Sequence, residues 1–248
     1  MQNKQAEKNS FNEIINFSNI IKEELNEIKK LQSFIKWTDN SFILDVGSGV
    51  GRQINSFPIN NLRKVIAFDF SYSAIKVCKK NLSEYDNIFF VVGDAEFMPF
   101  KNNIFDDCMC LGVLHHFKDF TEVLREVNRV TKNGSLVYTV DPNAKNPYEK
   151  FGINFISKIL IKFSFYRNFF KNILVLNENE RALDESEIVD SFSKTGFKLK
   201  KLEYFFIKCR SFGLYGKIRF IIMNFMKIIL PKKYGCNMIR TIFKKYEK

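Results

Sequence analysis

Only two of the 248 residues are histidine, one is tryptophan and five are proline. No unbroken apolar stretch reaches the roughly 18 residues of a spanning helix, so a transmembrane segment is not expected. The opening MQNKQAEKNSFNEIINF has neither an apolar central region nor a small-residue cleavage site, so a secretory leader is not expected either. Cysteine is present but unpatterned: Cys78, Cys108, Cys110, Cys209 and Cys236 are odd in number and contain no CxxC pair. They lie in segments that read as core strand or helix, which argues against a disulfide framework or a structural metal and for a reducing, cytoplasmic setting.

Charge is plentiful but unevenly placed. Residues 1–150 carry 19 Lys/Arg against 19 Asp/Glu, and residues 151–248 carry 20 against 8, so the whole formal excess of +12 lies in the C-terminal part. Either that part meets an acidic partner, such as anionic lipid, nucleic acid or a phosphorylated substrate, or it is simply a solvated surface.

Hydrophobic periodicity divides the chain. Residues 10–37 repeat apolar positions at helical spacing. FILDV at 42–46, VIAFDF at 65–70, IFFVV at 88–92, FDDCMCLGVL at 105–114 and SLVYTV at 135–140 read as strands with helical stretches between them, one over about 117–130. Strands alternating with helices imply an α/β, doubly wound, parallel sheet. Beyond Pro142 an aromatic, basic, helical segment interrupts the rhythm. Asp184-Glu185-Ser186-Glu187 looks like a capping box opening a helix that Gly196 closes. FKLKKLEYFFI at 197–207 and, more weakly, MIRTIFK at 238–244 supply two further strands around a helical insertion at about 214–230.

The chemistry-bearing element is Asp45-Val46-Gly47-Ser48-Gly49-Val50-Gly51 at a strand end. Glycines there allow a tight turn and close approach of a ligand, and a following helix N-terminus would offer free N–H groups. Arg52 stands where a dinucleotide GxGxxG fingerprint has its third glycine, which tilts the reading away from NAD or FAD. Asp69 ends the second strand, where a carboxylate can hold both ribose hydroxyls or cap the next helix, a task Ser71 is better suited to. Gly93-Asp94-Ala95 ends the third strand, so three strand ends converge on one crevice.

ILDVGSGVGR at 43–52, VIAFDFS at 65–71, GDAEFMPFKNNIFDDCMCLGVLHHF at 93–117 and the Arg129-to-Gly134 turn together resemble the small-molecule branch of the class I S-adenosylmethionine-dependent methyltransferases. The resemblance implies a Rossmann-like, seven-stranded, mostly parallel sheet with a helical cap and insertions. Its divisions would be a cap over 1–40, a cofactor-binding core over 41–141, a lid over 142–182 and the rest of the core over 183–248. S-adenosyl-L-methionine would be the cofactor, with Gly47 and Gly49 flanking its methionine part and Asp45 near its amino group. Asp69 would hold the ribose, Asp94 and Ala95 the adenine, and Leu111 and Gly112 would face the sulfonium. Ser48, Gly51 and Phe70 complete the expected cofactor set.

In-line displacement at a sulfonium needs chiefly positioning. An acceptor that must lose a proton also wants a base, and His115 and His116 follow the fourth strand, where they either serve as that base or pack and hydrogen-bond at a helix start. Base-modifying relatives carry Asn-Pro-Pro-Tyr there, whereas this chain has Leu111-Gly112-Val113-Leu114. Amphipathic basic stripes at 155–173 and 218–229 either lie on an anionic membrane or pack on the core. The expected acceptor is a small or lipid-linked molecule, met in the cytoplasm or on the inner face of the membrane. An RNA methyltransferase and a non-catalytic cofactor-binding protein remain the alternatives.

Overall fold

The computed structural model describes residues 30, 37–54, 63–147, 181–206, 221 and 223–246. The apolar runs become strands β1 (Phe42–Val46), β2 (Lys64–Asp69), β3 (Ile88–Val92) and β4 (Phe105–Leu111). Helix α1 (Tyr72–Asn81) links β2 to β3, and α2 (Thr121–Val130) leads into β5 (Thr131–Pro142). Beyond these come α3 (Glu185–Lys194), β6 (Phe197–Phe205), α4 (residues 223–229), α5 (Lys232–Gly235) and β7 (Met238–Lys245).

The seven strands form one sheet in the order β3-β2-β1-β4-β5-β7-β6. Strands β1 to β5 are parallel, and β7 runs antiparallel between β5 and β6. The sheet is thus mostly parallel and seven-stranded, as expected. Because β1 pairs with β2 on one side and β4 on the other, the direction of winding reverses there, and a crevice opens beyond the carboxyl ends of these strands.

Both faces of the sheet are buried, as crossover helices require. Leu44, Val46, Ile66, Phe68, Cys108 and Cys110 pack with Val123, Val127, Ile188 and Phe192 of α2 and α3 on one face. Ile43, Val65, Ala67, Met109 and Tyr138 pack with Cys78 and Leu82 on the other. The Cys108 and Cys110 thiols share one face, 3.9 Å apart. At the far end of the sheet from the crevice, the Asp107 carboxylate accepts from Trp37 Nε1 (2.8 Å), the Leu136 amide (2.7 Å) and Tyr138 Oη (3.3 Å), and burial raises it to about 6.

Several boundaries differ from the sequence reading. Strand β4 stops at Leu111 because Gly112 turns at φ +72°, and Leu114–His116 form a 3₁₀ turn. Helix α2 begins only at Thr121, whose amide is accepted by Asp119 Oδ1 at 2.9 Å. Strand β5 starts earlier than expected: Thr131 already pairs with Phe105, and the Lys132–Gly134 turn is an irregularity within the strand. Half of the expected capping box forms. Asp184 accepts from the Ser186 amide at 3.0 Å, while Glu187 turns to Arg181 Nη1 at 2.7 Å. The expected cap, most of the lid and the helix after the glycine loop fall outside the described residues.

Candidate active site

Three glycines at left-handed φ, Gly47 (+70°), Gly49 (+54°) and Gly51 (+81°), fold the chain back on itself after β1. A side chain at Gly47 would collide with Val113, its Cβ falling 2.5 Å from Val113 Cγ2, so the loop sits directly on the segment after β4. The amides of the loop itself are bonded within the protein. Gly47 and Ser48 both donate to Phe68 O, Gly51 to Ser48 O, and Gly49 to Asp69 Oδ2 at 2.8 Å.

Asp69 Oδ1 also accepts from the Ser71 amide at 2.8 Å, so this carboxylate ties the glycine loop to the start of α1. The Ser71 side chain caps α1 by accepting from Ala74 N, the role anticipated for it. Burial raises the Asp69 carboxyl above its ordinary range, and the two amides partly offset that.

Asp45 is the exceptional group. It is completely buried, and neither carboxylate oxygen has a hydrogen-bond partner. Burial first, and then the neighbouring Asp69 charge, push its carboxyl well above the carboxylate range. The nearby Cys78 thiol is pushed up to about 12 by burial and by the same two acids. A buried acid without a partner is costly unless a cation completes it. The residues present therefore fit a ligand carrying an ammonium group beside Asp45 and a diol beside Asp69.

At the third strand end, Asp94 folds into a turn, its Oδ1 accepting from the Glu96 amide at 3.1 Å, with Ala95 buried behind it. Phe70 and Phe97 stand 38% and 78% exposed on this side, enough to offer apolar surface to a ring. Leu111 is buried at the tip of β4, and Gly112 donates to Val140 O at 2.7 Å. The fold thus brings the expected cofactor residues to one edge of the sheet.

The two histidines part company. His115 Nδ1 lies 3.0 Å from Asp141 Oδ1, and the His115 amide donates to the same oxygen at 3.2 Å. Asp141 is fully buried, and burial raises it, with His115 the main counterweight. The His116 ring leans on His115 at 4.2 Å, and burial together with its neighbour pushes it down to about 3. Asp141 was absent from the sequence reading. The available signal was its position, since it ends an apolar strand as Asp69 ends β2.

Further along the same edge, Asn143 Nδ2 donates to Lys233 O (2.9 Å) and Cys236 O (2.8 Å), tying the exit of β5 to α5. Gly235 approaches so closely that an added Cβ would fall 2.8 Å from Met226 O, which seats α5 on α4. Met223 faces inward at 0% exposure. Ile221, Phe225, Ile228 and Ile229 face outward at 66, 60, 81 and 55%. Of the second basic stripe, these described residues do not pack on the core.

Residues 44–139 match the family described as Methyltransferase domain. An uncharacterised protein of Methanocaldococcus jannaschii is 32% identical over 175 residues, covering 65% of this chain and 63% of that one. A demethylmenaquinone methyltransferase of Chlorobaculum tepidum is 29% identical over 187 residues, covering 71% and 73%. Among solved structures, a putative methyltransferase of Bacillus halodurans superimposes with a TM-score of 0.63 at 22% identity, covering 90% of this chain and all of that one. The chain spans less than two thirds of the length of the Methanocaldococcus relative. Residues 44–139 therefore match a methyltransferase domain, and the fold is the one that the solved methyltransferase has.

Proposed function

We propose that the chain transfers the methyl group of S-adenosylmethionine to a small, apolar, lipid-linked acceptor that it meets at an anionic membrane surface. In this reading Asp45 receives the cofactor's ammonium and Asp69 its ribose. Asp94, Ala95 and Phe70 line the adenine, while Gly47, Ser48, Gly49, Gly51, Leu111 and Gly112 form the close walls around the methionine and the sulfonium. The bound cofactor supplies an activated methyl group, and the protein's part is to hold donor and acceptor in line.

The observation that carries the acceptor class is the outward stripe of α4. Ile221, Phe225, Ile228 and Ile229 follow i, i+4, i+7, i+8 spacing on one face. Lys227 and Lys232 line a groove beside this helix, in which Arg240 is buried and held by Glu203. An apolar stripe with a cationic border is complementary to anionic lipid, each basic residue adding about 1 kcal/mol near such a surface. Because α5 ties α4 to the exit of β5, docking would bring the acceptor side of the crevice to the membrane. The Chlorobaculum relative is named a demethylmenaquinone methyltransferase, which agrees with an apolar acceptor. Among the described residues no helix is long and apolar enough to cross a membrane, so the contact would be peripheral.

The test is a transfer assay with methyl-labelled cofactor on host extract divided into membrane lipid, soluble metabolite and RNA fractions. It is paired with flotation on phosphatidylglycerol-containing vesicles. Label in lipid and flotation lost in Phe225→Glu/Ile228→Glu support the reading. Label in RNA with a steep salt dependence would replace it with the nucleic-acid alternative, and binding without label in any fraction would leave a cofactor-binding protein.

A further inference from the structure

The geometry points to His115 and Asp141 as one proton-accepting unit: His115 is the base that takes a proton from the acceptor during methylation, and Asp141 is its positioning residue. This rests on the methyl-transfer reading and narrows the acceptor to one whose attacking atom gives up a proton, such as a ring hydroxyl.

The pair joins two strand tips. Asp141, next to last in β5, has no exposed surface, and His115 stands in the turn after β4. Asp141 Oδ1 faces both the His115 amide (3.2 Å) and ring Nδ1 (3.0 Å). A carboxylate only accepts, so the neutral ring carries its proton on Nδ1 and keeps its lone pair on Nε2. The ring adjoins the tip of β4, since a Cβ on Gly112 would fall 4.0 Å from His115 Cε1. Its side chain retains 14% exposure. The neighbouring His116 ring is pushed down to about 3 by burial and by His115.

The proton and electrons balance without a further reagent. His115 Nε2 accepts the acceptor's proton as the acceptor's electron pair forms the bond to the methyl carbon. The methyl–sulfur bond breaks with its electrons on sulfur, leaving a neutral thioether and a methylated acceptor. Asp141 offsets the charge that develops on the imidazole, and the proton then passes to solvent. The titratable and charged groups around His115 are His116, tilted against it at 4.2 Å, Asp141 at 3.0 Å, and Arg181, whose amide donates to His115 O (3.3 Å) and whose guanidinium is held by Glu187.

A merely structural role is conceivable for Asp141, because its oxygen also caps the turn. Asp141→Asn separates the two: the amide oxygen can still accept from the His115 backbone, but the charge is gone. The experiment follows ring tautomer and titration by ¹⁵N-histidine NMR on protein saturated with S-adenosylhomocysteine, over about pH 5.5 to about 9. It also follows the pH–rate profile in whichever extract fraction takes label, so that a failed lipid acceptor does not remove the assay. Expected is a wild-type ring protonated on Nδ1. The kcat of Asp141→Asn should drop about 100-fold with S-adenosylhomocysteine affinity kept, and His115→Gln should lose as much. A wild-type ring protonated on Nε2, or an Asp141→Asn enzyme with unchanged rate and unchanged acid limb, would overturn the proposal.

Discussion

The two sides of the crevice handle buried acid in opposite ways. On the β1–β2 side, Asp45 has no partner for either oxygen and Asp69 has only backbone amides. On the β4–β5 side, Asp141 has an imidazole from its own chain. A buried carboxylate needs compensation: the first side leaves both Asp45 oxygens open to a ligand's positive charge, whereas on the second Asp141 Oδ1 is met by His115 and only Oδ2 is left open. In the proposed reading cofactor affinity and proton handling fall to different strand tips, and perturbations of one should spare the other.

The largest expected effect tests whether the two sides are mechanically joined. Gly47→Ala introduces a Cβ 2.5 Å from Val113 Cγ2 at a φ of +70°, and should cost about 2–4 kcal/mol in denaturant unfolding. A loss below about 0.5 kcal/mol would mean that the loop moves independently of the β4 turn. Next, Asp69→Ala removes a charged acceptor and unpins Gly49, so cofactor affinity should fall by about 1–3 kcal/mol in calorimetry. Unchanged affinity would remove Asp69 from the ribose assignment.

Smaller, and opposite in sign for stability and binding, is the effect of Asp45→Asn. Removing an uncompensated charge should raise the melting temperature of ligand-free protein by about 2–4 °C, from a gain of about 1 kcal/mol, while weakening the cofactor. The same acid predicts a pH trend. Its folded pKa is raised, so its favourable contribution is complete below the unfolded value of 3.8 and is lost as pH rises through the folded value. Melting temperature without ligand should therefore decline over that interval, and saturating S-adenosylhomocysteine should flatten the decline. Parallel curves with and without ligand would count against Asp45 as the ammonium site. Smallest is a signal from the opposite end of the sheet. Trp37, the single tryptophan, donates to Asp107, so its emission should titrate with a midpoint near 6 in both ligand states. A ligand-dependent midpoint would show that the two ends are coupled.

The β1–β2 side was legible in the sequence because its signals are local. Apolar runs end in glycine or aspartate, and Ser71 stands where a cap is needed. The β4–β5 side was less so because its boundaries depend on partners far along the chain. The 3₁₀ turn that ends before Phe117 is held by Asp141, 26 residues from His115, and the early start of β5 depends on Phe105 accepting Thr131 as its neighbour. Periodicity sees neither contact. It also placed Met226 and Phe225 on one stripe, where the fold turns Phe225 outward and leaves Met226 half-buried. The antiparallel direction of β7 was invisible to it, since a strand's sequence does not record its orientation.

That direction has a consequence for how the molecule is made. Strand β7 follows β6 in the chain yet lies between β5 and β6. During synthesis the sheet therefore stops at β5, and β6 has no neighbour until residues 238–245 emerge. A ribosome-bound intermediate would carry two unsatisfied strand borders at once, one on β5 and one on β6, and such borders recruit other chains. The lysine-rich face of β6, with Lys198, Lys200 and Lys201, would repel a second nascent copy while the final strand is awaited.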